Sequence, residues 1–513
     1  MSKQRIFLSG ATGAMGSVSL KLLLEDTDET ELVILVRPSE KNKKKLKPFA
    51  AVSGLTIVWG DLTQYDDVKK CVKDADIILH LGALVSPKAD YLPEQTMKTN
   101  YGSMVNIIRA VKELNQAEKT RVVYIGTVAE TGERMPPIHW GRVGDPIKPA
   151  VFDYYAVSKI AAERYLIESG IPYWVSLRQT GIIGPVMAEI EDAIMFHQGL
   201  DNVLEYASDR DSAVMLRNLC RKERTGSLGG KFPGNIFWGH IFNIGGGESC
   251  RISAYNLYKK LFGMIGITDL SCVMDSNWSA TRNFHGQYYL DSDKLNDILC
   301  FRNDGIEYFY HEYLKKMGGI ASVSKFITKL PGGQKMIGNA IKERFYKLTL
   351  TENGTSHFVN DNIEEKIAVF WGSKEAYQAI PPMDKFIPFS DWDTVVPIDH
   401  GYDESKPEAD LNLNDMQKAA AFRGGVCTAS SMTTGNWTEK LKFRCAFGHE
   451  FEASPRLVLE GGHWCSVCES ESWNHYARAK VDPFFAQVWY PLHDRNEKEW
   501  KIKKKYSELD ITG

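Results

Sequence analysis

Tyr155 and Lys159 stand four residues apart in a stretch, 154–169, whose pattern predicts a helix, so both side chains fall on one face. That spacing suits proton chemistry. A free tyrosine ionises near about 10, and a neighbouring ammonium would stabilise its phenolate, so the phenol can take a proton from an alcohol or give one to a forming alkoxide. Tyr154 is the rival, but it has Ser158 four positions on and no cation. At the start of the chain, Gly10-Ala11-Thr12-Gly13-Ala14-Met15-Gly16 joins a strand-like run to a helical one. Glycines there permit a tight turn, a close backbone approach to a pyrophosphate and close helix packing, and the helix start favours the anion. Near the other end, Cys445-x3-His449-x15-Cys465-x2-Cys468 offers three thiolates and one imidazole, the donor set of a closed tetrahedral zinc site with a structural role. Cys427 and His463 are spare candidates.

These groups need a scaffold. Strand-like runs at 5–9, 32–36, 55–59, 76–80, 121–126 and 173–178 alternate with helical stretches at 14–24, 94–113 and 154–169. The alternation predicts an α/β fold, a Rossmann-type doubly wound parallel sheet with helices on both faces and a small substrate-binding portion. It persists through 240–247, and a helical stretch at 291–316 closes the unit. From 320 to 425 the pattern turns irregular, with Pro331-Gly332-Gly333, Pro381-Pro382 and a polar run at 403–410. The expected division is a dinucleotide-binding domain over 1–320, an unassigned segment over 321–425 and a small zinc-binding domain over 426–513.

The second strand ends at Val36 and is followed by Arg37, where an NAD site usually has an acid for the ribose 2′-hydroxyl. A guanidinium suits the 2′-phosphate instead, so NADP is favoured over NAD. Most of Lys41 and Lys43 to Lys47 reads as a solvated face.

With these residues in place, the first three fifths of the chain resembles the extended short-chain dehydrogenase/reductase family, which uses the Gly-x-x-Gly-x-x-Gly spacing seen here. The resemblance implies further roles. Asp61-Leu62 would contact adenine, and Leu81-Gly82-Ala83 would lie beside the nicotinamide ribose. Asn100 would support the active site, and Thr127 would hold the substrate oxygen beside Tyr155 and Lys159, with Lys159 also on the ribose. Arg178-Gln179-Thr180-Gly181-Ile182 resembles the stretch beside the nicotinamide amide, with Gln179 in place of the usual Pro. In 206–213 only Asp211 fits the nucleotide-sugar branch, which points toward the branch of hydroxysteroid dehydrogenases and ketone reductases. Met195, Phe196, Phe237 and Trp238 are candidates for a lipophilic pocket wall. The Cys/His segment resembles treble-clef or zinc-ribbon modules.

Composition bounds the partners. The 513 residues are 43% hydrophobic and 25% charged, with 62 basic and 65 acidic side chains, which excludes a disordered chain and gives no overall pull toward nucleic acid or membrane. The run Lys501–Lys505 is flanked by Glu497, Glu499, Glu508 and Asp510, which disfavours a nucleic-acid face. With no signal-peptide pattern and a mean hydropathy of -0.29, a cytoplasmic enzyme is expected. It would act on a small molecule, and a homo-oligomer is left open. The leading expectation is an NADP(H)-dependent oxidoreductase. A nucleotide-sugar epimerase or dehydratase holding NAD, and a dinucleotide sensor working through the zinc module, are the alternatives.

Overall fold

A computed structural model describes residues 3–230 and 235–497. Seven apolar segments form one parallel sheet: β1 (Gln4–Ser9), β2 (Thr30–Val36), β3 (Leu55–Trp59), β4 (Ile77–His80), β5 (Arg121–Thr127), β6 (Trp174–Gln179) and β7 (His240–Ile244). Their spatial order is β7-β6-β5-β4-β1-β2-β3, so the order reverses at β1 and β4. That reversal opens a crevice at the carboxyl ends of the strands, where such sheets bind ligands.

Strands buried on both faces need helices on both. On one face lie α1 (Ala14–Leu24) and α6 (Asp209–Arg224), packed through Leu20, Leu23, Leu216 and Leu219. On the other lie α3 (Tyr65–Val72), α4 (Pro93–Glu113) and α5 (Tyr154–Ile167), packed through Val68, Met104, Ile108 and Leu166. A short basic helix, α2 (Glu40–Leu46), follows β2 and is capped by Ser39. The expected strands and helices of the first domain are present with ends shifted by at most two residues.

Beyond residue 300 the expectation needs correction. The stretch 291–316 is two helices, interrupted where Cys300 turns left-handed at φ 51°, and the second is α7 (Ile306–Met317). The segment 320–425 is not irregular throughout. It contains α8 (Gly319–Ile327), α9 (Gly333–Thr349) and α10 (Glu364–Trp371). Pro331-Gly332-Gly333 is the turn between α8 and α9, with Gly332 at φ 75°, rather than a break in structure. α8 and α9 bury only a few residues each, so their apolar period is weak in sequence.

The C-terminal residues form a three-stranded antiparallel sheet, β8 (Val426–Cys427), β9 (Leu441–Arg444) and β10 (Glu450–Ala453), followed by short helices. Phe443, Leu457 and Trp464 share one apolar cluster with Tyr124, Leu166 and Trp174 of the parallel sheet and α5. The C-terminal segment is therefore packed on the helix that carries Tyr155 and Lys159. Lys501–Lys505 lies outside the described residues.

Candidate active site

The glycine turn leads straight from β1 into α1. Gly10 sits at φ 73°, and a Cβ there would come within 2.8 Å of the Gly82 amide nitrogen, so the loops after β1 and β4 can meet only at a glycine. A Cβ at Gly16 would lie 2.1 Å from the Gly10 carbonyl oxygen. No side chain caps α1, which leaves its first N–H groups to a ligand in a cavity of about 1340 Å³. That cavity is lined by Thr12, Gly13, Ala14 and Met15, by Asp61 and Leu62, by Leu81, Gly82 and Ala83, and by Thr127, Tyr155, Lys159 and Ile182.

Beneath it, polar groups fix the loop after β4. The Ser9 hydroxyl accepts from the Leu81 and Gly82 N–H groups at 3.1 and 3.0 Å and meets His80 Nδ1 at 2.8 Å. Ser9 therefore donates to Nδ1, which leaves the proton on Nε2, 3.0 Å from the Ser103 hydroxyl. Burial and the Lys159 charge hold His80 down at about 3, so this ring is neutral at physiological pH. Asn100 accepts from Leu84 N at 2.7 Å and donates to Leu84 O and Ser158 Oγ, tying the β4 loop to α5. Asp61 turns its carboxylate back to Thr63 N, 2.8 Å away, as a loop brace.

Arg37, Lys41 and Lys45 line the cavity beyond β2, and Lys45 Nζ donates to the Thr12 carbonyl at 2.8 Å. Lys45 is thus part of the site rather than of a solvated face.

Thr127, Tyr155 and Lys159 meet at the end of β5. The Tyr155 phenol faces the Thr127 hydroxyl, which by itself favours the phenolate. Lys159 departs from expectation: its Nζ donates to the Ile125 carbonyl and lies 4.1 Å from the Tyr124 ring centre, so it is turned into the sheet. The ammonium consequently does not lower Tyr155. Burial, with the charges of Glu130 and Asp153 behind it, pushes that phenol above the ordinary tyrosine value. Burial also brings Lys159 down to about 8, against the pull of Glu130 and Glu163.

Those two glutamates escaped the sequence reading. Glu130 accepts from the Thr127 N–H at 3.0 Å, and Thr127-Val-Ala-Glu130 has the capping-box spacing that could have flagged it. Arg178 bridges them, 2.5 Å from Glu163 and 3.2 Å from Glu130. The same Nη2 that meets Glu163 also donates to the Gly461 carbonyl at 2.7 Å. His463 lies between Glu163 at 3.0 Å and Glu469 at 3.2 Å, so this residue is an ion-pair partner and not a spare metal ligand. Gln179 is buried on the cavity wall with neither end of its amide hydrogen-bonded, which leaves one donor and one acceptor for a ligand.

The aromatic candidates are core. Phe237 and Trp238 are fully buried against α6, with Trp238 Nε1 donating to Glu223, and Phe196 packs on Trp278 and Phe345. Met195, Phe196, Phe237 and Trp238 are all absent from the cavity wall. Asp211 accepts from the Asn303 and Asp304 N–H groups and braces a loop.

Far along the chain, Cys445, His449, Cys465 and Cys468 converge with all ligand atoms within 4.8 Å of one another. His449 Nδ1 is 3.4 Å from Cys445 Sγ and 3.5 Å from both other sulfurs, the clustering that three thiolates and an imidazole adopt around one cation. Cys427 lies in β8, paired with Phe443, outside this group.

Residues 6–217 match the family model described as the NAD dependent epimerase/dehydratase family. Among curated relatives, UDP-N-acetylglucosamine 4,6-dehydratase (inverting) of Campylobacter jejuni is 28% identical over 113 residues, 22% of this chain and 34% of that one. The 3 beta-hydroxysteroid dehydrogenase type 7 of Mus musculus is 24% identical over 245 residues, 46% of this chain and 61% of that one. The chain thus spans about a third to three fifths of the length of these relatives. A solved dTDP-glucose 4,6-dehydratase from Bacillus anthracis, in complex with NAD, aligns at 16% identity over 61% of this chain and 96% of that chain, with a TM-score of 0.45. No helix among the described residues is long and apolar enough to cross a membrane.

Proposed function

We propose that the protein is an NADP(H)-dependent oxidoreductase that transfers hydride between the nicotinamide and a carbinol or carbonyl carbon of a small substrate, running as a reductase. The observation that carries this reading is the buried Tyr155 phenol beside Thr127 and Lys159 on the cavity wall, with its ionisation pushed up by burial so that it holds a proton at neutral pH. Gly10, Gly13 and Gly16 would cradle the pyrophosphate, Arg37 with Lys41 would face the 2′-phosphate, and Gln179 would face the carboxamide. When bound, the nicotinamide supplies the hydride. Thr127 orients the carbonyl oxygen, and Tyr155 gives that oxygen its proton as the carbon accepts the electron pair.

Elimination, as a dehydratase performs it, needs a further acid and base near the reacting carbon. Among the residues lining the cavity only Asp61 and Glu94 carry a carboxylate, and they stand after β3 and at the start of α4 rather than on the β5 and β6 ends that flank Thr127. That favours simple hydride transfer over a nucleotide-sugar dehydratase. The similarity to hydroxysteroid dehydrogenases supports a lipophilic, steroid-like carbonyl compound. The Cys445, His449, Cys465 and Cys468 donors suit zinc, which would crosslink the C-terminal segment and leave no open position for chemistry.

Following NADPH absorbance with ketone, steroid and sugar-nucleotide panels tests the reading. Oxidation of NADPH by a carbonyl compound is expected. Turnover confined to sugar nucleotides, without net NADPH change, would replace the proposal with an epimerase or dehydratase.

Arg37→Asp should shift kcat/KM from NADPH toward NADH by about 10- to 100-fold, from the roughly 1.5–3 kcal/mol of a hydrogen bond to a charged group. An unchanged ratio would remove Arg37 from the 2′-phosphate.

A pH profile follows from Lys159, brought down to about 8. A lowered value means the ammonium is present below that pH and lost above it. If its charge holds the ribose, kcat/KM for reduction should be level at neutral pH and fall about tenfold per unit above pH 8. A profile that stays level into the alkaline range would take the Lys159 charge out of the reaction.

A further inference from the structure

The overall charge balance conceals one segment of opposite character. Residues 313–342 contain six lysines and no aspartate or glutamate, in a chain of net charge -3. This is the end of α7, all of α8, the turn and the first half of α9. On the same hairpin Ile320, Val323 and Phe326 are 67%, 58% and 68% exposed, and Leu330 and Met336 follow at 49% and 60%.

The arrangement is held from beneath. In α8, Ala321 is buried and the Thr328 hydroxyl donates to the Ile265 carbonyl, so the inner stripe leaves Ile320, Val323 and Phe326 on the outer side at helical spacing. In α9, Gly338 lies against Cys272, and Ile337, Ile341 and Phe345 join the cluster around Phe262 and Trp278. The outer residues are surplus to that core, and soluble surfaces rarely gather so many large apolar side chains in one place. Lys315, Lys316, Lys325, Lys329 and Lys335 are exposed around them. Lys342 is bound by Asp275 and Lys315 lies 3.8 Å from Glu312, while Lys325, Lys329 and Lys335 make no ion pair among the described residues.

We infer that the α8–α9 hairpin is a docking surface for an anionic lipid bilayer, with Ile320, Val323, Phe326 and Leu330 entering the headgroup boundary and the lysines resting on the phosphates. Apolar side chains rimmed by lysines match that interface on both counts, because the stems follow the apolar boundary and the ammonium groups reach the headgroups. A second copy fits worse, since it would bring lysines against lysines. A nucleic acid matches the charge but offers no apolar phase for Phe326 and Ile320. The attachment is peripheral and is independent of the reaction proposed above.

The test is sedimentation of the full chain with vesicles of phosphatidylcholine alone and of phosphatidylcholine with phosphatidylserine at about 7:3. Binding at least about tenfold stronger to the anionic vesicles is expected at about 0.1 M salt, weakening at about 0.5 M. Ile320→Ser with Phe326→Ser should lower it about tenfold or more, and so should Lys325→Glu with Lys329→Glu. Both pairs should keep the wild-type melting temperature and dinucleotide affinity, because these side chains stand outside the core. Absence of binding to the anionic vesicles, or binding indifferent to all four substitutions, overturns the inference. Dimerisation without lipid that Phe326→Ser abolishes, or tighter binding to an RNA homopolymer than to the vesicles, assigns the face to another partner and overturns it equally.

Discussion

Replacing Tyr155 by phenylalanine is expected to lower kcat for carbonyl reduction by about 10² to 10⁴-fold, the usual contribution of a positioned general acid. The dinucleotide should bind almost as before, because the glycine cradle, Arg37 and Lys159 lie elsewhere on the cavity wall. The substitution removes one hydroxyl beside Thr127 and leaves the ring in place, so folding should be little affected. Stopped-flow hydride transfer and fluorescence titration with NADPH separate the two effects. Turnover close to wild type would show that the proton comes from another group and would end the assignment of Tyr155. A proportional loss of NADPH affinity would mean that the phenol holds the cofactor rather than the substrate.

The reasons that Tyr155 was legible in sequence, and its electrostatics were not, are physical. A glycine turn between an apolar run and a helix start, and a tyrosine four residues before a lysine, are local patterns that survive in any tertiary context. The Cys445, His449, Cys465 and Cys468 set was legible for a similar reason, since ligand type and spacing follow from the donor chemistry. Which acceptor Lys159 finds is decided by distant chain: Ile125, Glu130 and Glu163 take its charge, and only the assembled sheet brings them there. The helices after residue 318 were missed because a Pro-Gly-Gly turn and exposed apolar residues look like loop when no core partner is visible. Phe237 and Trp238 were misplaced as pocket residues because sequence does not distinguish an aromatic facing a ligand from one facing α6.

Loss of the metal site should carry further than its own segment. Cys465→Ser, or removal of zinc by a chelator, is expected to open the chain to protease between about residues 441 and 497, since so small a segment depends on its crosslink and structural zinc contributes on the order of 10 kcal/mol to such folds. The same segment supplies the Gly461 carbonyl to Arg178 and His463 to Glu163, 2.7 and 3.0 Å away. Arg178 and Glu163 in turn flank Glu130, which holds the Thr127 N–H at the cavity floor. Breaking a buried ion pair by removing one partner costs about 3–5 kcal/mol, so His463→Ala alone should lower the melting temperature even with zinc bound. Turnover should fall in parallel with protease sensitivity, and stoichiometric zinc should accompany the folded protein in elemental analysis. Two results would contradict this account. If a chelated, inactive protein keeps a folded, protease-resistant segment, the metal takes part in the reaction. If the segment is cleaved away and hydride transfer continues at the wild-type rate, the floor beneath Thr127 stands without Gly461 and His463.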